Sequence, residues 1–426
     1  MHILILGAGV VGVTSAWYLA RAGHRVTVLE RQPGAALETS FANGGQISVS
    51  HAEPWANPRA LSRALHWLGR EDAPLLIRAY GDPKLLSWLL RFLRECPSPR
   101  VRANIRAIVS LALYSRRCLQ TLREEMRREG GAIDYDHLER GILHLYTDDE
   151  EFAAALGAAA LMREFGCERR VIGLDECLKL EPALEGARRL LVGADYTADD
   201  ESGDAHRFTR ELAQRCAALG VEFCYGVAVR RLRILGGLVE GVEIDASPPD
   251  ETIHADAYII AAGSETPRLL SPLGIRVPIY PAKGYSATIP LSGTSVAPSV
   301  SLTDDGHKLV FSRLGQRLRV AGTAEFNRYD KSLNPERCAA LMRRTLEFFP
   351  ALAPAEEPAF WCGLRPATPS NVPLIGNLRA PNLWINSGHG TLGWTLSCGS
   401  GAALADLIGG RRPEPEFPFL SAGIRQ

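Results

Sequence analysis

Apolar residues open the chain in one short block, Ile3-Leu4-Ile5-Leu6, and return after a glycine-rich gap at helical spacing. Residues 2–6 therefore read as a buried strand. Residues 10–22 read as a helix with Ala16, Leu19 and Ala20 on its inner face. A second strand over 25–29 runs into Glu30, and a strand–helix–strand start implies a parallel sheet. Leu and Trp dominate 61–95, which reads as helical with breaks at Pro74 and Pro83; 101–129 and 148–165 read as long helices. A helix over 204–219 leads into a strand at 221–225, a hairpin turning at Gly236-Gly237 and a buried strand at 257–260. Residues 284–290, 309–313 and 317–322 alternate as strands of an antiparallel sheet do. A strand at 383–386, a glycine-rich turn and a helix to about Ile408 close the pattern. The α/β character at both ends and near 200–275 predicts one domain built from 1–50, 196–275 and 357–426. The second, inserted in pieces, takes 51–195 and 276–356.

Composition narrows the picture. At about 150 residues per domain, 426 residues suit two or three domains with full cores. Forty-eight Lys+Arg balance 48 Asp+Glu, which argues against a nucleic-acid partner, since that needs a basic stripe. Nine cysteines, none in a CxxC pair, suggest reduced thiols in a cytosolic protein, with no disulfide framework and no metal site. The 3–6 block lacks the basic start and length of a signal peptide, and no stretch nears the ~20 apolar residues that span a bilayer. The expected location is the cytoplasm, at most peripheral on the inner face of the plasma membrane.

Candidate chemistry begins at Gly7-Ala8-Gly9-Val10-Val11-Gly12, directly after a strand and opening a helix. Gly7 permits the tight turn, Gly9 lets backbone approach a pyrophosphate, and Gly12 lets the helix pack closely on the sheet. The helix N-terminus favours negative charge, and Glu30 stands where a carboxylate can accept from ribose hydroxyls. The register of strand, helix and acid marks a dinucleotide site. Glu38-Thr39-Ser40-Phe41-Ala42-Asn43-Gly44-Gly45-Gln46 reads either as an ordinary polar loop or as the lining of a diphosphate and second ring system. Ser387-Gly388-His389-Gly390-Thr391-Leu392-Gly393-Trp394-Thr395 reads either as helix capping or as N–H groups facing an electron-accepting ring. Together the three patches suggest a cofactor longer than one nucleotide. An NAD-dependent enzyme would leave the second and third patches without a role.

Six stretches carry a wider resemblance: ILGAGVVGVTSAWYLARAGHRVTVLER (5–31), PGAALETSFANGGQIS (33–48), DESGDAHRFT (200–209), YPAKGYSATIP (280–290), WCGLRPATPSNVPLIG (361–376) and LWINSGHGTLGWTLSCGSGAALADLI (383–408). On these the chain resembles the FAD-dependent D-amino-acid oxidase superfamily, and within it the bacterial D-amino-acid dehydrogenase small subunits. The resemblance implies an α/β fold: a Rossmann-type FAD-binding domain plus an α+β substrate domain with a mixed antiparallel sheet. It implies oxidative deamination of D-amino acids to 2-oxo acids and ammonia, by hydride transfer from Cα to flavin N5 and without an obligatory protein base. Electrons would pass to a quinone or other respiratory-chain acceptor. FAD would be held non-covalently by Gly7, Ala8, Gly9, Val10, Val11, Gly12, Glu30, Arg31, Thr39, Ser40, Asn43, Gly44, Gly45, Gln46, Val227, Gly263, Gly388, Gly390, Thr391, Leu392, Gly393, Trp394 and Thr395. Cys362 and Cys398 lie in the C-terminal motifs, but the cysteine motif of covalently flavinylated relatives is not matched.

Arg365 matches the arginine that grips the substrate carboxylate in related oxidases, and a planar guanidinium suits that task. Tyr285 and Tyr280 are candidates for the pocket wall or a second carboxylate contact, each equally readable as packing. His389 reads as a flavin contact or a loop brace. The apolar run from Trp55 to Trp88 and on to 95, interspersed with Arg63, Arg70, Arg78 and Arg91, suits either an interfacial helix pair at a membrane or a pair packed on the substrate domain. Competing functions are oxidation of secondary amino acids (D-proline, D-hydroxyproline, sarcosine), a true oxygen-using oxidase, and a non-catalytic flavin-binding module.

Overall fold

A computed structural model describes residues 1–58, 67, 70–78, 81–245 and 252–421 of the chain. Its first sheet runs in the order Leu374–Asn377, Leu383–Ser387, Ala257–Ile260, His2–Leu6, Arg25–Glu30, Glu222–Tyr225. All neighbours are parallel except the first pair. Both faces of the opening strand are dry, which is why its sequence is a continuous apolar run. Ile3 and Ile5 join the core formed with the helices Val10–Arg21, Ser98–Arg128, Ala205–Ala218 and Gly393–Ile408. Leu4 and Leu6 join a separate core under the hairpin Val229–Leu235 and Leu238–Ile244.

Small residues let the helices close on one another. A Cβ on Gly399 would lie 2.7 Å from Ser115, and one on Gly401 would lie 2.9 Å from the Thr14 backbone. The Thr14 hydroxyl donates to Ser397 O at 2.9 Å.

The second body is a nine-stranded sheet. Its path is Ala359–Ala367, Tyr280–Pro290, Arg317–Phe326, Leu309–Leu314, Ser301–Asp304, Ile142–Tyr146, Gly193–Thr197 and Arg170–Gly173, with Leu75–Ile77 paired to Arg317–Phe326 off that path. It is mixed: Ser301–Asp304 runs parallel to Ile142–Tyr146, and Leu75–Ile77 parallel to Arg317–Phe326, among otherwise antiparallel neighbours. Phe311, Phe348 and Phe349 anchor its core against the helix Pro335–Phe348.

The α/β architecture matches the expectation, with two differences in how segments are shared. The long helix Ser98–Arg128 packs in the core of the first body, although 51–195 was expected with the second. Ala359–Ala367 pairs into the larger sheet, although 357–426 was expected with the first. Within 61–95, Leu75–Ile77 is a strand and not helix, because it finds an open edge beside Ala324–Phe326. The helix there is Pro83–Glu95, started by Pro83 and capped by Asp82, whose side chain accepts from Lys84 N–H. The rest of the expected helix pair falls largely on 59–66, 68–69 and 79–80, outside the described residues.

Candidate functional site

A cavity of about 1020 Å³ lies between the two bodies, lined by all three glycine-rich patches and by the near face of the larger sheet. At the first patch the glycines have different reasons to be there. Gly7 has φ +110°, and a Cβ on it would lie 2.7 Å from Ala261 O; a Cβ on Gly12 would lie 2.0 Å from Gly7 O. Those two are fixed by the turn itself. A Cβ on Gly9 would meet only Ser40 Oγ, at an ordinary 3.5 Å, so the protein's own atoms do not exclude a side chain there. Gly9 instead keeps the cavity wall bare next to the helix N-terminus, where a phosphate would approach. Val10 N–H donates to Ser40 Oγ at 3.1 Å, so the second patch docks on that same N-terminus.

Glu30 is buried and already holds the turn: one carboxylate oxygen accepts from Ala8 N–H (2.8 Å) and the other from Gln32 N–H (2.9 Å). Each oxygen keeps a further lone pair toward the cavity it lines. Arg31, Thr39, Ser40, Asn43, Gly44, Gly45, Gln46, Val227, Gly263, Gly390, Thr391, Leu392, Gly393, Trp394 and Thr395 also line the cavity, with Gly7, Gly9, Val10 and Val11. Ala8, Gly12 and Gly388 do not; they shape the turns behind it. The final helix has no side-chain cap; the 3-10 turn Gly390–Leu392 leads straight into it, and both line the cavity at the third patch.

Arg365 crosses the larger sheet into the cavity. Gly284, which pairs with Gly363 two residues before it on the strand, makes room: a Cβ there would sit 2.3 Å from the guanidinium carbon. Arg365 Nη1 donates to Thr323 O at 2.6 Å and Nη2 to Gly322 O at 3.2 Å. These carbonyls are presented by a β-bulge where Tyr285 pairs Gly322 and Lys283 pairs Glu325. Thr323 there takes φ +54°, a costly backbone for a β-branched residue. Among the described residues no carboxylate forms an ion pair with Arg365. Burial, with the nearby Arg337 cation, pushes its pKa down to about 10. A half-buried guanidinium held only by carbonyl dipoles keeps its capacity to pair with an anion.

The two tyrosines part company. Tyr285 lines the cavity, but its hydroxyl is spent on Glu325 Oε2 at 2.5 Å, inside a buried network with Lys283 and Arg337. Tyr280 is not on the cavity wall; it donates to Asp82 at 2.8 Å and stacks beside Phe326. Neither hydroxyl is free for a substrate carboxylate. His389 does line the cavity, with Nε2 3.2 Å from Ser400 Oγ, and burial pushes its pKa down to about 3, so it is neutral. Cys362 and Cys398 are buried away from the cavity, and burial raises both thiol pKa values.

Sequence reasoning missed Gly284, Gly322 and Thr323, whose roles depend on a bulge that no local pattern announces. It also missed a polar group on the cavity wall, Ser50, His51, His144 and Asp305. The apolar end of the cavity is lined by Trp55, Trp67, Leu75, Trp88, Leu89 and Phe92.

Comparison with known proteins agrees with this geometry. The family model described as FAD dependent oxidoreductase matches residues 2–407. The chain is 64% identical over 421 residues to the D-amino acid dehydrogenase of Dechloromonas aromatica (strain RCB), covering 99% of this chain and 100% of that one. It is 52% identical over 412 residues to the D-amino acid dehydrogenase of Paramagnetospirillum magneticum (strain ATCC 700264 / AMB-1), covering 96% of each. Among solved structures, glycine oxidase from Bacillus cereus ATCC 14579 superposes with a TM-score of 0.74 at 24% identity over 97% of this chain and 98% of that one, a likeness of fold.

Proposed function

The chain belongs to the FAD-dependent oxidoreductase family, and from its site we propose that it oxidises D-amino acids to 2-oxo acids and ammonia and passes the electrons to a membrane quinone. The carrying observation is Arg365, a half-buried guanidinium with two carbonyl contacts and, among the described residues, no carboxylate, opening into a cavity that three glycine-rich patches also line. A substrate carboxylate completes that cation by two parallel charge-assisted hydrogen bonds, and so fixes the position of the α-carbon.

The residues present fit FAD. Gly9 leaves the wall bare at the helix N-terminus, Glu30 offers lone pairs for ribose hydroxyls, and 390–395 brings the start of the final helix, with no side-chain cap, to the cavity wall. When bound, FAD supplies the acceptor for the two electrons that leave the substrate. The protein's part is binding, orientation and dryness. Trp55, Trp88 and Phe92 keep water from the reacting end, and neutral His389 adds no charge there.

The quinone reading is supported by the helix Pro83–Glu95. It contributes Trp88, Leu89, Phe92 and the exposed Leu93 to the cavity, while Leu86 and Leu90 stand exposed at helical spacing on its outer side. That pattern suits contact with a membrane surface. No helix among the described residues is long and apolar enough to cross a membrane.

The test is anaerobic. The flavin absorbance of the purified protein should bleach rapidly with D-alanine and little with L-alanine. Bleaching only by D-proline or sarcosine would move the substrate to secondary amines, and a folded protein that binds no flavin would sink the proposal.

A further inference from the structure

The polar group at the other end of the cavity wall has no role in substrate gripping or cofactor binding. His144, on Ile142–Tyr146, is 1% exposed and has both ring nitrogens engaged: Nδ1 lies 2.8 Å from Asp305 Oδ2 and Nε2 lies 3.0 Å from Ser50 Oγ. Ser50 Oγ is 3.0 Å from Ser48 Oγ, which is 3.4 Å from Asp200 Oδ2. Buried Asp200 clamps this turn by accepting from Val49 N–H at 2.9 Å and Ser50 N–H at 3.1 Å. Ser48 N–H in turn donates to Thr395 Oγ1 at 3.0 Å, which ties the row to the third glycine-rich patch. The result is a continuous row of side-chain hydrogen bonds from Ser48 to Asp305, anchored to the third glycine-rich patch by the Ser48 backbone.

Charged groups surround the row from every side. Lys308 lies 3.3 Å from Asp305. Burial alone would raise the Asp305 pKa, but Lys308, His144 and His51 hold it well below the usual carboxylate range. Burial pushes His51 down to about 4, so it is neutral at pH 7. Arg169, which reaches Ser50 O, is balanced by Asp195 and Glu53, and Tyr146 donates to Asp195. Arg116 lies 3.5 Å from Asp200 at the far side. An ionised Asp305 fixes the tautomer with Nδ1–H toward itself and leaves Nε2 as acceptor from Ser50.

Two other uses of the cluster fit less well. Ser50, His144 and Asp305 have the contacts of a hydrolase triad, but the N–H groups of Val49 and Ser50 are taken by Asp200 and cannot serve an oxyanion. His51, His144 and Asp305 present atoms within 4.8 Å of one another, as metal ligands would. Lys308 already offsets the Asp305 charge, however, and both His144 nitrogens are taken.

We propose that Ser48, Ser50 and His144, with Asp305 behind them, form a proton relay that receives the proton shed by the substrate ammonium group; the proposal rests on the amino-acid oxidation argued above. The ammonium N–H bond breaks, its electron pair stays on nitrogen, and the proton reaches Ser48 Oγ through cavity water. The Ser48 hydroxyl proton moves to Ser50 Oγ and the Ser50 proton to His144 Nε2, so an imidazolium forms against the Asp305 carboxylate. It returns its proton to bulk water when product leaves. His144 pairs with Thr303, Thr303 with Val310, and Val310 with Ala321, next to the Gly322 that holds Arg365. Three strand steps of ~4.8 Å put His144 roughly 14 Å away, so these are relay residues acting through water, not groups that touch the substrate.

The experiment compares wild-type holoenzyme with His144→Gln, Asp305→Asn and Ser50→Ala. The limiting rate of anaerobic flavin bleaching by D-alanine should fall about 10²-fold near neutral pH in the His144 variant. The D-alanine concentration giving half that rate should not change, and added imidazole should restore part of the rate. In proton NMR, the wild-type protein should show a downfield Nδ1–H resonance that Asp305→Asn abolishes. Should a His144 or Asp305 variant fail to fold, Ser50→Ala, which keeps every charge, must still slow bleaching. Variants that bleach at the wild-type rate with the wild-type pH profile would overturn the relay. A wild-type protein that no D-amino acid bleaches would instead overturn the function on which it rests.

Discussion

Two arginines stand in the wall of one cavity, Arg169 buried and Arg365 half-buried, and their surroundings differ in kind. Arg169 meets Asp195 at 2.6 Å and Glu53 at 2.8 Å and donates to Tyr146 and to Ser50 O. Arg365 meets only two backbone carbonyls. The Arg169 end is balanced in charge by two carboxylates, and its residues hold strands Ile142–Tyr146 and Gly193–Thr197 to the 48–53 turn. The Arg365 end is unfinished, and the protein holds it open with a strained Thr323 and an obligatory Gly284. A buried charge already paired with carboxylates serves the fold. One kept unpartnered at a backbone cost belongs to a ligand.

Substitution should separate the two. Arg365→Leu removes the carboxylate clamp, so kcat/KM for a D-amino acid should fall by about 10³-fold, the equivalent of ~4 kcal/mol from a buried charged pair. Its urea midpoint should hold or rise, because no carboxylate is left behind. Arg169→Met should do the reverse, stranding Asp195 and costing about 3–5 kcal/mol of stability by urea unfolding. Any flavin bound by the surviving folded protein should still bleach with substrate. Equal losses of stability in both variants would erase the distinction drawn between them.

The sequence made one side of this contrast readable and hid the other. Gly7, Gly9, Gly12 and Glu30 announce themselves because turn, helix and strand are consecutive, so the constraint is local. Arg365 was reached through the motif around it. Its lack of a partner is a fact about strands Tyr280–Pro290 and Arg317–Phe326, far away in sequence. Tyr280 shows the limit of motif position: it sits in the same stretch as Tyr285, yet five residues along the strand it leaves the cavity and pairs with Asp82. Leu75–Ile77 was misread as helix because a short apolar run carries no period of its own, and only the edge it joins decides. Strand pairing also moved Ala359–Ala367 and the helix Ser98–Arg128 across the expected boundary, since domain membership is set by cores and not by order along the chain.

The glycines offer a finer version of the same comparison. Gly12→Ala forces a Cβ to 2.0 Å from Gly7 O, so the turn must shift, and the folded protein should lose about 1–3 kcal/mol together with its flavin. Gly9→Ala meets nothing closer than 3.5 Å, so stability should barely change while FAD affinity drops. Thermal unfolding of both apo-proteins, beside flavin titration by fluorescence, reads the two effects separately. A Gly9→Ala protein that binds FAD normally would mean that the bare wall beside the helix is not where phosphate sits.

The gentlest probe is pH, because it tests burial without changing a residue. Burial pushes His389 down to about 3, against about 6.5 for an exposed histidine. Between those values the unfolded chain binds a proton that the folded protein refuses. This histidine's contribution to stability therefore falls as pH drops from about 6.5 toward 3, by roughly 1.4 kcal/mol per unit, and is constant above that window. His51, down to about 4 for the same reason, should add a similar slope over a shorter range. His389→Gln should remove one of the two slopes while leaving stability at pH 8 changed only by the loss of the Ser400 contact. An unchanged slope in that variant would place His389 in contact with water, and the final glycine-rich patch would then be wetter than a site for dry electron transfer should be.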